Sequence, residues 1–259
     1  MGTDSELNRI VNASGFLFQL RVEQEVRAKE PHHRWAVLAN EHPWHDISSG
    51  TSGYIDLVLS KVNVRLVIEC KRTRDAKWIF LVPRGEPSGK LVRCMKINSP
   101  SLGEFKWLWE NAYVEPETYL SSFCAVRGSG EGQAPMLERL SQSLLDSLEN
   151  LAMEEIRLAC KDTYGHTYVY LPVVVTNADL QVCKFETKEI SLDDGTIDSA
   201  EFEAVPFIRF HKSLTAKSNP HLTLNTIQQA NYDKRRTVLV VQANYLSQLL
   251  TGLYFPDSW

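Results

Sequence analysis

The chain of 259 residues has no apolar run approaching the ~20 residues that a membrane span requires. Its first residues, MGTDSELNRIV, lack the basic region followed by an apolar one that marks an export leader. Neither anchoring nor export is therefore expected. The five cysteines (Cys70, Cys94, Cys124, Cys160 and Cys183) are odd in number, widely scattered and never spaced Cys-x-x-Cys. That pattern suggests neither a disulfide framework nor a zinc knuckle, and a reducing cytoplasm fits it best. There is no internal repeat, no heptad run and no low-complexity tract, so one domain over 1–259 is the expectation. The segment SSGTSG lacks the lysine of a phosphate-binding loop and reads as a connection.

What is present is ordinary for a globular protein: 43% hydrophobic and 23% charged residues. The net charge of −4 is uneven. From Lys71 to Lys96, eight basic residues (Lys71, Arg72, Arg74, Lys77, Arg84, Lys90, Arg93, Lys96) stand against Asp75 and Glu86, a net +6, so the rest of the chain carries −10. A basic stretch beside an acidic remainder is what a phosphate-facing surface looks like, although a solvated face produces the same pattern.

Periodicity predicts α/β architecture. FLFQLRVEQEVRAKE reads as a capped helix with Phe18, Val22 and Val26 on one side, and RWAVLA as a strand followed by a polar loop, NEHPWHDISSGTSG. YIDLVLS and VRLVIECK form a hairpin signal. Residues 78–133 are irregular, with Pro, Gly and basic residues among short apolar pieces. APMLERLSQSLLDSLENLAMEEIRLAC is a long amphipathic helix, and four strands and a terminal helix follow. The mixture predicts a central mixed β-sheet flanked by helices.

The hairpin carries the chemistry. With Val62 and Asn63 as a two-residue turn, Asp56 lies opposite Glu69. Alternation then puts Leu57, Leu59, Leu66 and Ile68 on one face and Asp56, Glu69 and Lys71 on the other. Two carboxylates about 5 Å apart at Cβ repel each other, and burying them unpaired is costly. A divalent cation with oxygen ligands resolves the conflict: Mg²⁺, for which Mn²⁺ can substitute, held by Asp56, Glu69 and the backbone carbonyl of Cys70. Lys71 on the same face is placed to orient a water for attack on a phosphodiester. A solvent-exposed cross-strand salt bridge is the bland alternative.

Asp56, twelve intervening residues and then Glu69-Cys70-Lys71, each acid preceded by an apolar run, resembles the PD-(D/E)XK nuclease superfamily. The likeness is sharp over about twenty residues and elsewhere one of element order. It implies a restriction-endonuclease-like core over about 12–177, with a basic, irregular insertion at about 72–133 and a C-terminal strand and helix extension at about 178–259. It also implies a metal-dependent endonuclease acting on DNA, with RNA not excluded. Many members place a glutamate on the first helix near the metal; Glu23 is favoured here over Glu25. Arg72, Arg74, Lys77, Arg84, Lys90, Arg93 and Lys96 are expected to meet backbone phosphates. Duplex cleavage makes a homodimer reasonable, and chain size leans toward bacterial restriction or phage defence. The alternative is a catalytically inactive nuclease-fold protein serving as a nucleic-acid-binding or assembly subunit.

Weaker signals complete the reading. His42, His45 and Asp46 are expected on a loop, Trp78, Trp107 and Trp109 are candidates for base stacking, and Arg209, His211 and Lys212 alternate along a strand. Cys70 points away from its neighbours and is expected to be a small core residue.

Overall fold

A computed structural model describes residues 3–73, 77–85, 88–99, 106–126, 136–159, 166–214 and 226–256. In chain order the helices are α1 (Thr3–Ala13), α2 (Phe16–His33), α3 (Met136–Ala159), α4 (Ile227–Asp233) and α5 (Leu246–Gly252). The strands are β1 (Ala36–Asp46), β2 (Thr51–Lys61), β3 (Val64–Lys71), β4 (Lys77–Pro83), β5 (Gly89–Ser99), β6 (Lys106–Thr118), β7 (Leu120–Ser121), β8 (Cys124–Val126), β9 (His166–Thr176), β10 (Asp179–Phe185), β11 (Glu201–Ala204), β12 (Phe207–Ser213) and β13 (Arg235–Gln242).

As the mixed pattern predicts, helices flank a large mixed sheet. Nine strands run in the order β1-β2-β3-β9-β13-β12-β7, and β5 pairs both β9 and β6. The central pairs β3–β9 and β9–β13 are parallel. Parallel strands covered on both faces read as unbroken apolar runs, which is how Pro172-Val173-Val174-Val175 and Val238-Leu239-Val240-Val241 appear. Leu57, Leu59, Leu66 and Ile68 join Val22 and Val26 of α2 and Leu246, Leu249 and Leu250 of α5 in one core. Val58, Val67 and Val174 face the leucines of α3 (Leu144, Leu145 and Leu148 among them) in the other.

The structure departs from the sequence reading in three places. The polar segment expected as a loop is mostly strand: β1 runs through Glu41-His42-Pro43-Trp44-His45-Asp46 and pairs with β2 to Asp46–Thr51. Its side chains from Glu41 to Asp46 alternate between exposed and half-buried, but only Trp44 on the inner side is a large apolar residue, so the sequence shows no apolar alternation. The irregular stretch contains five strands. Of these, β5 and β6 extend the main sheet, whereas β4 and β8 join β10 and β11 in a second, four-stranded sheet. Finally, β12 and β13 are part of the main sheet, with β13 directly beside β9, rather than an appendage to it.

Between α1 and α2 the chain passes through Gly15 at φ 82°, a left-handed conformation that a residue with Cβ avoids.

Candidate active site

The β2–β3 ladder runs from Lys61–Val64 to Leu57–Ile68, in the register that a Val62-Asn63 turn demands. Val62 sits at the tip with φ 54°. Beyond Leu57–Ile68 the two strands part, while β3 stays paired with β9 through Glu69–Val174, Cys70–Val175 and Lys71–Thr176. Asp56 spans the gap: its Oδ2 accepts a hydrogen bond from the Cys70 amide at 2.6 Å. Because the N–H and C=O of one extended residue leave by the same edge, the Cys70 carbonyl also faces the Asp56 side. Asp56, Glu69 and Lys71, which alternation assigns to one face, thus gather where β2 leaves β3. All three side chains are half-buried.

Electrostatics at this point is unfavourable to two anions. Burial pushes the Asp56 carboxyl up to about 6, with repulsion from Glu41 adding to it, against the opposing pull of the Cys70 amide and Lys71. Burial, together with the charge of Asp56, raises Glu69 to about 7, and Lys71 counters only part of this. The Cys70 thiol is pushed far up by burial and by the same acids, so it is an inert packing group, as its place against the α2 core requires.

Two residues that sequence reasoning passed over belong to this site. Gln19, buried on α2, donates from Nε2 to a Glu41 carboxylate oxygen and, at 3.3 Å, to the backbone carbonyl of Asp56. Glu41 occupies β1 between Asn40, which pairs with Leu57, and His42, which pairs with Ile55, and so lies opposite Asp56. Its φ of 48° places a non-glycine residue in left-handed backbone, a conformation that concentrates at functional sites. Glu41 became legible only once the polar segment was a strand with a register; Gln19 carried no charge to draw notice.

The glutamates considered on α2 are occupied elsewhere. Glu23 pairs with Arg27 at 2.7 Å and accepts from Asn40 Nδ2 at 3.1 Å. Glu25 pairs with Arg21 and Lys29. The α2 residue that touches the Asp56 strand is Gln19, one turn before Glu23.

Four residues of the basic stretch are held in ion pairs. Arg93 is buried, paired with Asp233 at 3.1 Å and stacked on Tyr232. Arg84 pairs with Glu201, Lys90 with Glu115 and Lys96 with Glu110. Lys90, Arg93 and Lys96 lie on β5 of the main sheet and Arg84 just past β4 of the second, so continuity in sequence becomes division between two sheets. Arg74 falls outside the described residues. Arg72, half-buried just past Lys71, and exposed Lys77 at the start of β4 remain.

The secondary candidates are structural. Trp78 and Trp109 are core residues, and Trp107 packs partly buried against the same core. His42 meets Glu154 at 2.9 Å. Arg209 is 1% exposed and donates to the carbonyls of Gly89, Val114 and Pro116 at 2.5, 2.5 and 2.9 Å. Lys212 pairs with Glu138, and His211 faces Thr237.

The donors at the parting of β2 and β3 are oxygen: two carboxylates and a strand carbonyl. That set suits a hard divalent ion that completes its shell with water and substrate oxygens. Among the described residues no group of three or more His, Cys, Asp or Glu side chains is arranged to hold a metal, so the protein would supply few of the ligands. A cavity of about 300 Å³ opens between α2 and the start of α5, with Phe18, Arg21 and Asn177 in its wall and none of Asp56, Glu69 and Lys71 among its lining residues. Asn177 fixes the chain just after Lys71 by accepting from the Thr73 amide at 2.6 Å and donating to the Thr73 carbonyl at 2.8 Å.

Comparison with protein-family models, with curated proteins and with solved structures finds no match. Among the described residues no helix is long and apolar enough to cross a membrane.

Proposed function

We propose that the protein is a metal-dependent nuclease that hydrolyses phosphodiester bonds in DNA, of the PD-(D/E)XK kind that its hairpin motif resembles. One observation carries the reading: Asp56 and Glu69, two half-buried carboxylates both raised in pKa, share with Lys71 the face where β2 parts from β3. A fold does not keep two such acids together for stability. As anions in this position they cost free energy, and a bound cation is the partner that reverses the sign.

Asp56 and Glu69 would hold Mg²⁺, or Mn²⁺ in its place, with the Cys70 carbonyl as a further ligand. The ion would offset charge developing on the phosphate. Asp56 is itself oriented by the Cys70 amide, so one of its oxygens is committed and the other is left for the ion. Gln19 restrains Glu41 and the Asp56 backbone, which fixes the strand carrying the first ligand. Lys71, two residues beyond Glu69 on the same face, positions the attacking water and stabilises its loss of a proton.

The test is cleavage of circular, linear and single-stranded DNA with Mg²⁺ or with EDTA, alongside calorimetric titration with Mn²⁺. Metal-dependent cleavage supports the reading. Mn²⁺ binding without cleavage of any substrate moves the protein to a nuclease fold that binds only, and absence of both removes the site.

A further inference from the structure

The first twenty residues carry an apolar surface that stays exposed among the described residues. Leu7, Ile10 and Val11, spaced i, i+3, i+4, form one stripe of α1, and they are 58%, 58% and 49% exposed. Phe16, Leu17 and Leu20 at the start of α2 are exposed as well, at 61%, 46% and 59%. Every described side chain from Ser5 to Ala13 is exposed, so among the described residues none buries the apolar stripe of α1. An isolated helix of 11 residues is marginal in water, since so short a segment does not repay nucleation; helices of this length are held by packing. The opposite side of α2, with Val22, Val26 and Gln19, is buried, so the exposure belongs to one face and does not reflect a poorly packed segment.

We infer that this face pairs with the same face of a second copy of the chain, forming a twofold dimer. Area favours it. The six side chains expose roughly 600 Å², so symmetric pairing removes about 1,200 Å² from the two copies before any polar rim is counted, the lower end of the range for stable interfaces. An isologous contact needs only a self-complementary patch, and the apolar residues exposed on α1 and at the start of α2 meet that requirement. A lipid surface fits less well. Helices that lie on membranes carry lysine and arginine on the polar face, whereas α1 has Asp4 and Glu6 against Arg9 alone. The inference stands on the exposed stripe and does not depend on the nuclease reading.

Sedimentation velocity of the full chain from about 0.1 to about 50 µM tests it. The wild type is expected to pass from monomer to dimer in that range. Ile10→Glu combined with Leu20→Glu, both at exposed positions, should raise the dimer dissociation constant at least about 100-fold. If that variant loses its native circular dichroism, Leu7→Ser with Leu17→Ser serves instead and should weaken the dimer in the same direction. A wild type that stays monomeric throughout, a monomer that co-sediments with phosphatidylcholine–phosphatidylserine vesicles, or variants that dimerise as well as wild type overturns the inference. Mn²⁺ titration keeps the two conclusions separate: a dimer that binds no metal removes the nuclease reading alone, and a metal-binding monomer removes the dimer alone.

Discussion

Asp56 Oδ2 accepts the Cys70 amide at 2.6 Å across the point where β2 and β3 cease to pair. A side chain thereby takes the place of a backbone acceptor, and the carboxylate is held beside Glu69 and the carbonyl of Cys70.

Asp56→Asn and Lys71→Ala should each reduce metal-dependent cleavage by about 10³-fold or more, the scale expected when a metal ligand or a water-positioning ammonium is lost. Far-UV circular dichroism should be unchanged, because neither side chain is part of a core. Retained cleavage in either variant would separate these residues from the chemistry.

The raised carboxyls give stability a pH dependence of definite sign. A folded-state pKa above the unfolded value means that the contribution is complete below about pH 4 and is lost as pH rises through about 6 for Asp56 and about 7 for Glu69. In EDTA at pH 8, Glu69→Gln should therefore be more stable than wild type by about 2 kcal/mol, and near pH 4 the two should melt together. Thermal melts across that range decide it. A variant less stable at pH 8 would mean that a partner within the fold already satisfies the anion. Added Mn²⁺ should raise the melting temperature of wild type and leave Glu69→Gln nearly unmoved.

Gln19 and Glu23 make opposite predictions one helical turn apart. Loss of the Gln19 amide frees Glu41 and the Asp56 carbonyl, so Gln19→Ala should weaken Mn²⁺ binding about 10- to 100-fold. Glu23→Ala breaks an ion pair with Arg27 and a contact with Asn40 and should change Mn²⁺ affinity little. Calorimetric titration of both variants tells which residue of α2 serves the site.

Arg209 is a structural residue. Three backbone carbonyls depend on its guanidinium, and its removal leaves them buried without a donor. Arg209→Ala should cost about 3 kcal/mol or more, seen as a lower midpoint in urea, and Arg209→Lys should restore only part of it because one ammonium cannot reach three separated oxygens. A neutral effect on stability would reopen a surface role for this strand.

How far all this was legible in the amino-acid order depends on which interactions are local. The register of β2 and β3 follows from a two-residue turn and strict alternation, so the juxtaposition of Asp56 with Glu69 and Lys71 was readable from twenty residues. The polar stretch Glu41–Asp46 hid a strand because its pairing is satisfied by β2 while none of its side chains is fully buried, and periodicity registers apolar burial, not hydrogen bonding. With that strand went Glu41 and the purpose of Gln19. Charge counts along the basic run likewise ignore that Glu110, Glu115, Glu201 and Asp233 pair with Lys96, Lys90, Arg84 and Arg93 in the folded state. Similarly, β13 looked peripheral because its partner, β9, lies more than sixty residues earlier.

The parallel pairing of β3 with β9 joins Lys71 to Thr176, more than one hundred positions away. Closing so large a loop costs entropy before any contact repays it, so this pairing belongs late in the folding sequence. A nascent chain that has released only its first hairpin has all three motif residues but no fixed strand beneath Glu69 and Lys71. The acids should therefore acquire their depressed acidity, and any affinity for an ion, only after β9 has docked against β3.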